Sequence, residues 1–266
     1  MALTITSLHN PRIKQALRLR DRRGRQEQMR LIVDGWRETC RALDSQIQPL
    51  ELYVCESALT AEQSRELTAL TSPHGLEWTF VSPSVFEKLC YGQRGEGVVL
   101  VAAQPTTTLD DLHLNGPAVV AVLEQIEKPG NLGAVVRTAD AAGIAAVIVL
   151  GGGTDLFNPN AIRASLGAMF HVPVCAADAA STLAWLRQHR AHIFAARVDG
   201  AVSYTQVEYT SRCAIVLGSE AHGLSNIWTG DDIQSIALPM RGIVDSLNVS
   251  TTAAVLFYES LRQRAC

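Results

Sequence analysis

Ala118-Val119-Val120-Ala121-Val122-Leu123, followed by Glu124-Gln125-Ile126-Glu127-Lys128-Pro129-Gly130-Asn131-Leu132-Gly133 and, further on, by the apolar run 145–150 (Ala145-Ala146-Val147-Ile148-Val149-Leu150), is the stretch that decides the fold class. Both runs are apolar throughout rather than alternating. That is the pattern of strands covered on both faces, as in a parallel sheet. Pro129-Gly130 marks a turn, and residues 131–142 have helical spacing, with Asn131 as a candidate cap. Strand, helix and strand in this order form a βαβ unit.

The same grammar continues toward the C-terminus. Residues 192–198, 213–217 and 235–238 read as strands, 182–190 as a helix, and an apolar helix from Val249 ends the chain. In open sheets of this kind ligands sit at the carboxyl ends of the strands. The N-terminal part is less regular. Pro11 introduces a charged helix, 31–33 is a short strand before Gly35 and a further helix, and 50–54 and 98–101 are further strand candidates. Residues 104–111 have linker composition. The expected division is a first domain at 1–104, a linker at 105–117 and a second domain at 118–266.

The 266 residues accommodate two ordinary domains, and 47% hydrophobic content suffices for packed cores. No apolar run reaches membrane-spanning length, and the N-terminus lacks the charge-then-apolar layout of a secretory signal. The six cysteines stand singly without a C-x-x-C, which argues for reduced thiols, a cytoplasmic location and no metal site. Net charge is −3, but Arg12, Lys14, Arg18, Arg20, Arg22, Arg23, Arg25 and Arg30 crowd the first thirty residues. Positions 18, 22 and 25 fall on one helical face by i, i+4, i+7 spacing, suited to a phosphate backbone or to solvent.

Four loops after strand ends gather polar residues. The first leads from Asn131 through Gly133 to Arg137. The second is Gly151-Gly152-Gly153, which lacks the third glycine of G-x-G-x-x-G and reads as a flexible loop; Arg163, Ser165 and Gly167 follow. The third is Gly218-Ser219-Glu220-Ala221-His222-Gly223, whose histidine is either a base or an ordinary turn residue. The fourth is Leu238-Pro239-Met240-Arg241-Gly242 through Ser246-Leu247-Asn248-Val249-Ser250, where Ser246 and Asn248 are either site residues or helix caps. Each loop alone permits the plainer reading. Their coincidence at one edge of one sheet favours a binding site.

In order, Asn131-x-Gly133-x-x-x-Arg137, Gly218-Ser219-Glu220-x-x-Gly223 and Leu238-Pro239-Met240-x-Gly242 through Ser250 resemble the three motifs of the SpoU (TrmH) family. These are RNA 2′-O-ribose methyltransferases of the SPOUT superfamily. Arg163-Ala164-Ser165-x-Gly167-Ala168 is similar to the family as well. The N-terminal part, with its Asn10-Pro11-Arg12-Ile13-Lys14 opening, resembles the L30e-like substrate-binding domain. Two departures stand out: Glu127-Lys128 precedes Pro-Gly-Asn where members commonly carry Asp, and Asp34-Gly35 replaces a usual Glu-Gly.

The resemblance implies an α/β SPOUT domain with a mostly parallel sheet and a deep trefoil knot, plus an N-terminal α/β domain. It implies S-adenosylmethionine as cofactor, held by Leu217, Gly218, Gly223, Leu238, Met240, Gly242 and Leu247. The catalytic group it carries over is Asn131, Arg137, Glu220, Ser246 and Asn248. RNA would be held by Arg12, Lys14, Arg18, Arg22, Arg25 and Arg163, and the enzyme would be a homodimer. Ribosomal RNA is the expected substrate, because transfer-RNA members often rely on short terminal extensions. Methylation of transfer RNA, a self-protecting resistance methyltransferase and a catalytically silent RNA-binding protein are the alternatives. A nicotinamide-dependent oxidoreductase is disfavoured by the incomplete glycine fingerprint.

Overall fold

A computed structural model of the chain describes residues 4–90, 96–151, 155–219 and 222–265. They form two compact units. The first holds the described residues up to Pro105 together with Phe157–His171, and the second holds Thr106–Leu156 and the described residues from Val172 onward.

The first unit runs α1 (Pro11–Arg18), α2 (Arg22–Gln28), β1 (Arg30–Asp34), α3 (Trp36–Leu43), β2 (Pro49–Val54), α4 (Ala61–Thr71), β3 (Trp78–Phe80), α5 (Pro83–Leu89) and β4 (Val98–Ala103). Its sheet has the order β1-β4-β2-β3, antiparallel except for β2 with β3. Ile13, Ala16, Tyr53, Val85, Phe86 and Val101 belong to one buried cluster of this unit.

The basic N-terminal segment is two helices, and this corrects one expectation. α1 stops at Arg18 and α2 starts at Arg22, with Asp21 extended between them, so residues 18, 22 and 25 do not share a helical face. Arg25 is buried, and its guanidinium donates to the backbone carbonyls of Leu19 and Arg20 at 2.6 and 2.7 Å. The last carbonyls of a helix need partners, and Arg25 supplies one. It therefore serves the turn between α1 and α2 rather than an RNA surface.

The second unit contributes β5 (Val119–Glu124), α6 (Pro129–Ala142) and β6 (Ala146–Leu150); the chain then passes through α7 (Pro159–Ala164) in the first unit and returns. It continues with β7 (Val174–Ala177), α8 (Ala179–Gln188), β8 (His192–Ala196), β9 (Val202–Ser203), β10 (Cys213–Leu217), β11 (Ile233–Ala237) and α9 (Val249–Arg264). The sheet order is β7-β6-β5-β10-β8-β11-β9, and every ladder in it is parallel. All residues of β5, β6 and β10 are buried, as runs without alternation require. Val120, Val122, Ile148, Ala214, Val216 and Trp185 belong to a core on one face. α6 and α9 pack side by side, and α9 also meets β10.

From β5 the chain builds outward to β6 and β7, then crosses over to β8. β10 later fills the gap, pairing Cys213 with both Val119 and His192. This reversal is a topological switch point, where the loops beyond the strand ends leave a crevice. The expected helix start at Asn131 is corrected to Pro129, with Lys128 in the cap position and without a side-chain cap bond. Proline suits a first helical position, because its missing N–H has no partner there anyway.

Candidate active site

The crevice at the switch point is a cavity of about 500 Å³. Leu217 and Gly218 enter it from the end of β10, Ala196 and Arg197 from β8, Leu238 and Met240 from β11. Ser246, Leu247 and the first turn of α9 at Val249 and Thr252 close another side. Of the residues expected to hold a cofactor, Leu217, Gly218, Gly223, Leu238, Met240 and Leu247 line the cavity. Gly242 does not; it is exposed, with nothing within 4 Å of where a Cβ would stand.

The loop after β10 is held tightly. Ser219 and Gly223 exchange backbone hydrogen bonds at 3.2 and 2.9 Å, and His222 N donates to Ser219 Oγ at 3.0 Å. His222 is an exposed turn residue at the cavity edge. Gly218 has no room for a side chain, because a Cβ there would meet the backbone of Gly223 and Leu224. Glu220 lies outside the described residues.

Two side chains of the expected catalytic group meet where the helices begin. Asn248 caps α9, its Oδ1 accepting from Ser250 N at 2.9 Å and Ser250 Oγ at 2.6 Å, while its Nδ2 donates to Asn131 Oδ1 at 3.4 Å. Asn131 sits inside the first turn of α6, so its side chain is not spent on capping. At the other end, Arg264 of α9 donates to Ala142 O at the end of α6 at 3.4 Å. The two helices are therefore parallel neighbours, and both N-termini lie at the Asn131–Asn248 contact. Arg137, on α6, is exposed and forms no ion pair among the described residues.

Three features escaped the reading of the sequence. Glu124, at the end of β5, is buried and accepts from both Ser225 N and Ser225 Oγ at 2.7 Å, tying that strand end to the loop after β10. A lone acid closing an otherwise apolar strand was the available signal. Arg197 and Asp199 form a two-pronged pair at the cavity, at 2.8 and 3.2 Å, which holds the Asp199 carboxyl below its usual range. Asp245 is a further acid in the lining.

The remaining expected RNA contacts lie in the first unit. Arg12 is exposed and bonded to Glu51 and Thr79, both at 3.0 Å; Arg18 pairs with Glu27; Lys14 and Arg22 are exposed. Arg163, on α7, grips Asp34 with two bonds at 3.1 and 2.8 Å, and the Asp34 side chain is only 5% exposed. That geometry gives Arg163 an anchoring role within its own unit.

Residues 118–258 match the model of the SpoU rRNA Methylase family. The chain belongs to that family. Residues 10–100 match the MRM3-like substrate binding domain. This SpoU chain is 34% identical over 189 residues to the 23S rRNA (guanosine-2′-O-)-methyltransferase RlmB of Bordetella pertussis, covering 69% of this chain and 77% of that one. It is 29% identical over 182 residues to the 23S rRNA (uridine(2479)-2′-O)-methyltransferase of Streptomyces viridochromogenes, 65% of this chain and 63% of the relative's length. The crystal structure of the SpoU methyltransferase AviRb from that organism, in complex with AdoMet, superimposes with a TM-score of 0.88 at 25% identity, covering 97% of this chain and 99% of the other. The A. aeolicus TrmH/SpoU tRNA modifying enzyme matches 56% of this chain and 76% of its own, with a TM-score of 0.51 at 25% identity. Among the described residues no group of three or more His, Cys, Asp or Glu is placed to hold a metal, and no helix is long and apolar enough to cross a membrane.

Proposed function

We propose that this SpoU-family chain transfers a methyl group from S-adenosylmethionine to a ribose 2′-hydroxyl of ribosomal RNA. The observation that carries the reading is the switch-point cavity, one side of which is the first turn of α9, capped by the Asn248 that meets Asn131. Its volume of about 500 Å³ falls in the usual range for a ligand of this size. Leu217, Leu238 and Leu247 offer apolar walls to an adenine ring, and Arg197, Asp199 and Asp245 offer charges to an amino-acid zwitterion. Bound there, the cofactor supplies an electrophilic methyl on a sulfonium leaving group.

Orientation is then the main task of the protein's own residues. The paired N-termini of α6 and α9 set positive dipole ends side by side, which favours a target phosphate and negative charge on the attacking oxygen. Arg137 adds a cation that pairs with no carboxylate among the described residues. Its role is electrostatic, since a guanidinium stays protonated and makes a poor base. Ser246 is a cavity hydroxyl, and Asn131 and Asn248 fix each other across the helix starts. Glu220 joins this group through its motif alone.

The first unit is the RNA-holding domain in this reading, with Arg12, Lys14, Arg18 and Arg22 exposed on it. Ribosomal rather than transfer RNA is supported by coverage: the tRNA enzyme matches about half of the chain, and an AdoMet-bound rRNA methyltransferase from Sinorhizobium meliloti matches 98% of it. A homodimer built on the second unit is supported by the exposed Ile243, Val244 and Tyr258 close to the cavity in sequence. The trefoil knot belongs to the same reading, with 238–248 as the threaded segment, and the enzyme is placed in the cytoplasm. Tritium transfer from labelled S-adenosylmethionine to total RNA is the test, with Arg137→Ala as the variant. Transfer should fall on the order of 100-fold or more while cofactor affinity persists. Near-wild-type turnover by that variant would refute the role given to Arg137, and a wild-type chain that binds cofactor and methylates no RNA would refute the function.

A further inference from the structure

The first unit carries a second cavity, of about 230 Å³. Its floor is the buried Val54 of β2, and its walls are the half-buried rings of Trp78 and Phe80 on the edge strand β3. Glu56, Leu59 and, from α4, Ser64, Arg65 and Thr68 complete the lining. Strand residues two apart share a face, so both rings point the same way, toward α4; the Thr79 side chain between them points to the opposite face and receives a bond from Arg12. The ring centroids are 6.1 Å apart with planes inclined at 59°.

Three observations give this cleft a chemistry. Trp78 satisfies its only donor internally, Nε1 donating to Thr71 Oγ1 at 3.1 Å, so what it offers the cleft is ring surface. Arg65 forms no ion pair among the described residues, whereas Arg12, Arg18 and Arg23 are already paired with Glu51 or Glu27. The volume lies below the roughly 300–1,000 Å³ of sites that take whole drug-sized ligands, which suits one planar ring system. An aromatic wall, a hydroxyl, and a guanidinium whose Nε donates to Ala61 O at 3.4 Å and which pairs with no carboxylate among the described residues form the combination that takes an unstacked base with its phosphate. An apolar peptide side chain would leave the arginine without a use.

We propose that this cleft binds one extruded base of the RNA substrate, stacked on Trp78 or Phe80, with Arg65 on the adjoining phosphate. The proposal rests on the reading of the chain as an RNA methyltransferase and adds a subsite to its RNA-holding domain. The experiment uses the full chain, a fluorescein-labelled single-stranded RNA ten-mer, a duplex of the same sequence, and the variants Phe80→Leu, Phe80→Tyr and Arg65→Gln. Phe80→Leu should weaken single-strand binding by roughly five- to a hundred-fold, the value of one stacked base. Phe80→Tyr should retain wild-type affinity, and Arg65→Gln should flatten the salt dependence. Duplex binding should change little. Ultraviolet cross-linking should leave a nucleotide on the peptide containing residues 78–80.

A thermal melt unchanged from wild type in each variant reports that the first unit is folded. If Phe80→Leu and Arg65→Gln bind the single strand like wild type, or no adduct forms on that peptide, the cleft is not a base site and the methyltransferase reading stands. If the wild-type chain binds no RNA at all, the reading beneath the proposal fails instead.

Discussion

Replacing Gly218 by alanine tests whether the cavity depends on the tight loop after β10. A methyl on Gly218 would lie 2.7 Å from Leu224 N and closer still to the carbonyl group of Gly223, where ordinary contact begins at 3.4 Å. These are backbone atoms, so no side chain can turn aside. The loop must retreat by roughly 1 Å, and the Ser219–Gly223 backbone bonds that close it must stretch or break. Overpacking of this kind costs about 1–3 kcal/mol, which for a domain of this size lowers Tm by roughly 2–10 °C. The functional loss should be larger, since Leu217, Gly218, Ser219 and Gly223 all line the cavity and a displacement near 1 Å can cost on the order of 100-fold. Gly223→Ala is the control. Gly223 has φ +64° and open space beyond its Cα, so its substitution strains the backbone by about 1–2 kcal/mol without a collision. Isothermal titration with S-adenosylmethionine, beside a thermal melt, separates the two. Gly218→Ala should lose at least tenfold more affinity than Gly223→Ala at a comparable Tm. Equal affinities would show that the close packing of Gly218 on Gly223 does not shape the site.

Other substitutions test the supports. Glu124→Ala should lower stability by about 2 kcal/mol, because Ser225 loses two charge-assisted hydrogen bonds at a buried strand end; a melt matching wild type would show that the tie is idle. Arg163→Met removes both bonds to the buried Asp34 carboxylate and should cost about 3 kcal/mol; adding Asp34→Asn should recover most of it, and a double variant no better than the single would refute the pairing. Burial pushes the thiols of Cys90 and Cys213 up to about 12 and that of Cys175 up to about 11. At pH 8 their thiolate fraction is then on the order of one part in a thousand or less, so peptide-resolved alkylation should find all three unmodified until denaturant is added.

Much of the second unit is legible residue by residue. Runs such as 118–123 and 145–150 carry no alternation because both faces are covered, and a parallel sheet is the arrangement that covers both. The three motifs could be located because each needs small or polar residues next to a strand end. Some of the fold was not legible for physical reasons. β3 is three residues at a sheet edge, and β7 is four, too short for any period to register. The break between α1 and α2 depends on Arg25 turning inward to the carbonyls of Leu19 and Arg20, a contact that looks like one more surface charge in a basic run.

The division of labour follows from range. Local patterning by itself determined that the second unit is a parallel α/β sheet, where its loops fall, and which residue types stand in them. Only the tertiary structure decided what those residues do together. It placed β10 between β5 and β8, and so opened the cavity at that switch point. It set α6 and α9 parallel, bringing Asn131 within 3.4 Å of Asn248 across 117 positions of sequence. It turned Arg163 toward Asp34, and left Trp78 and Phe80 lining a cleft. Strand order and helix pairing depend on packing between distant segments, and no periodicity within one segment carries that information.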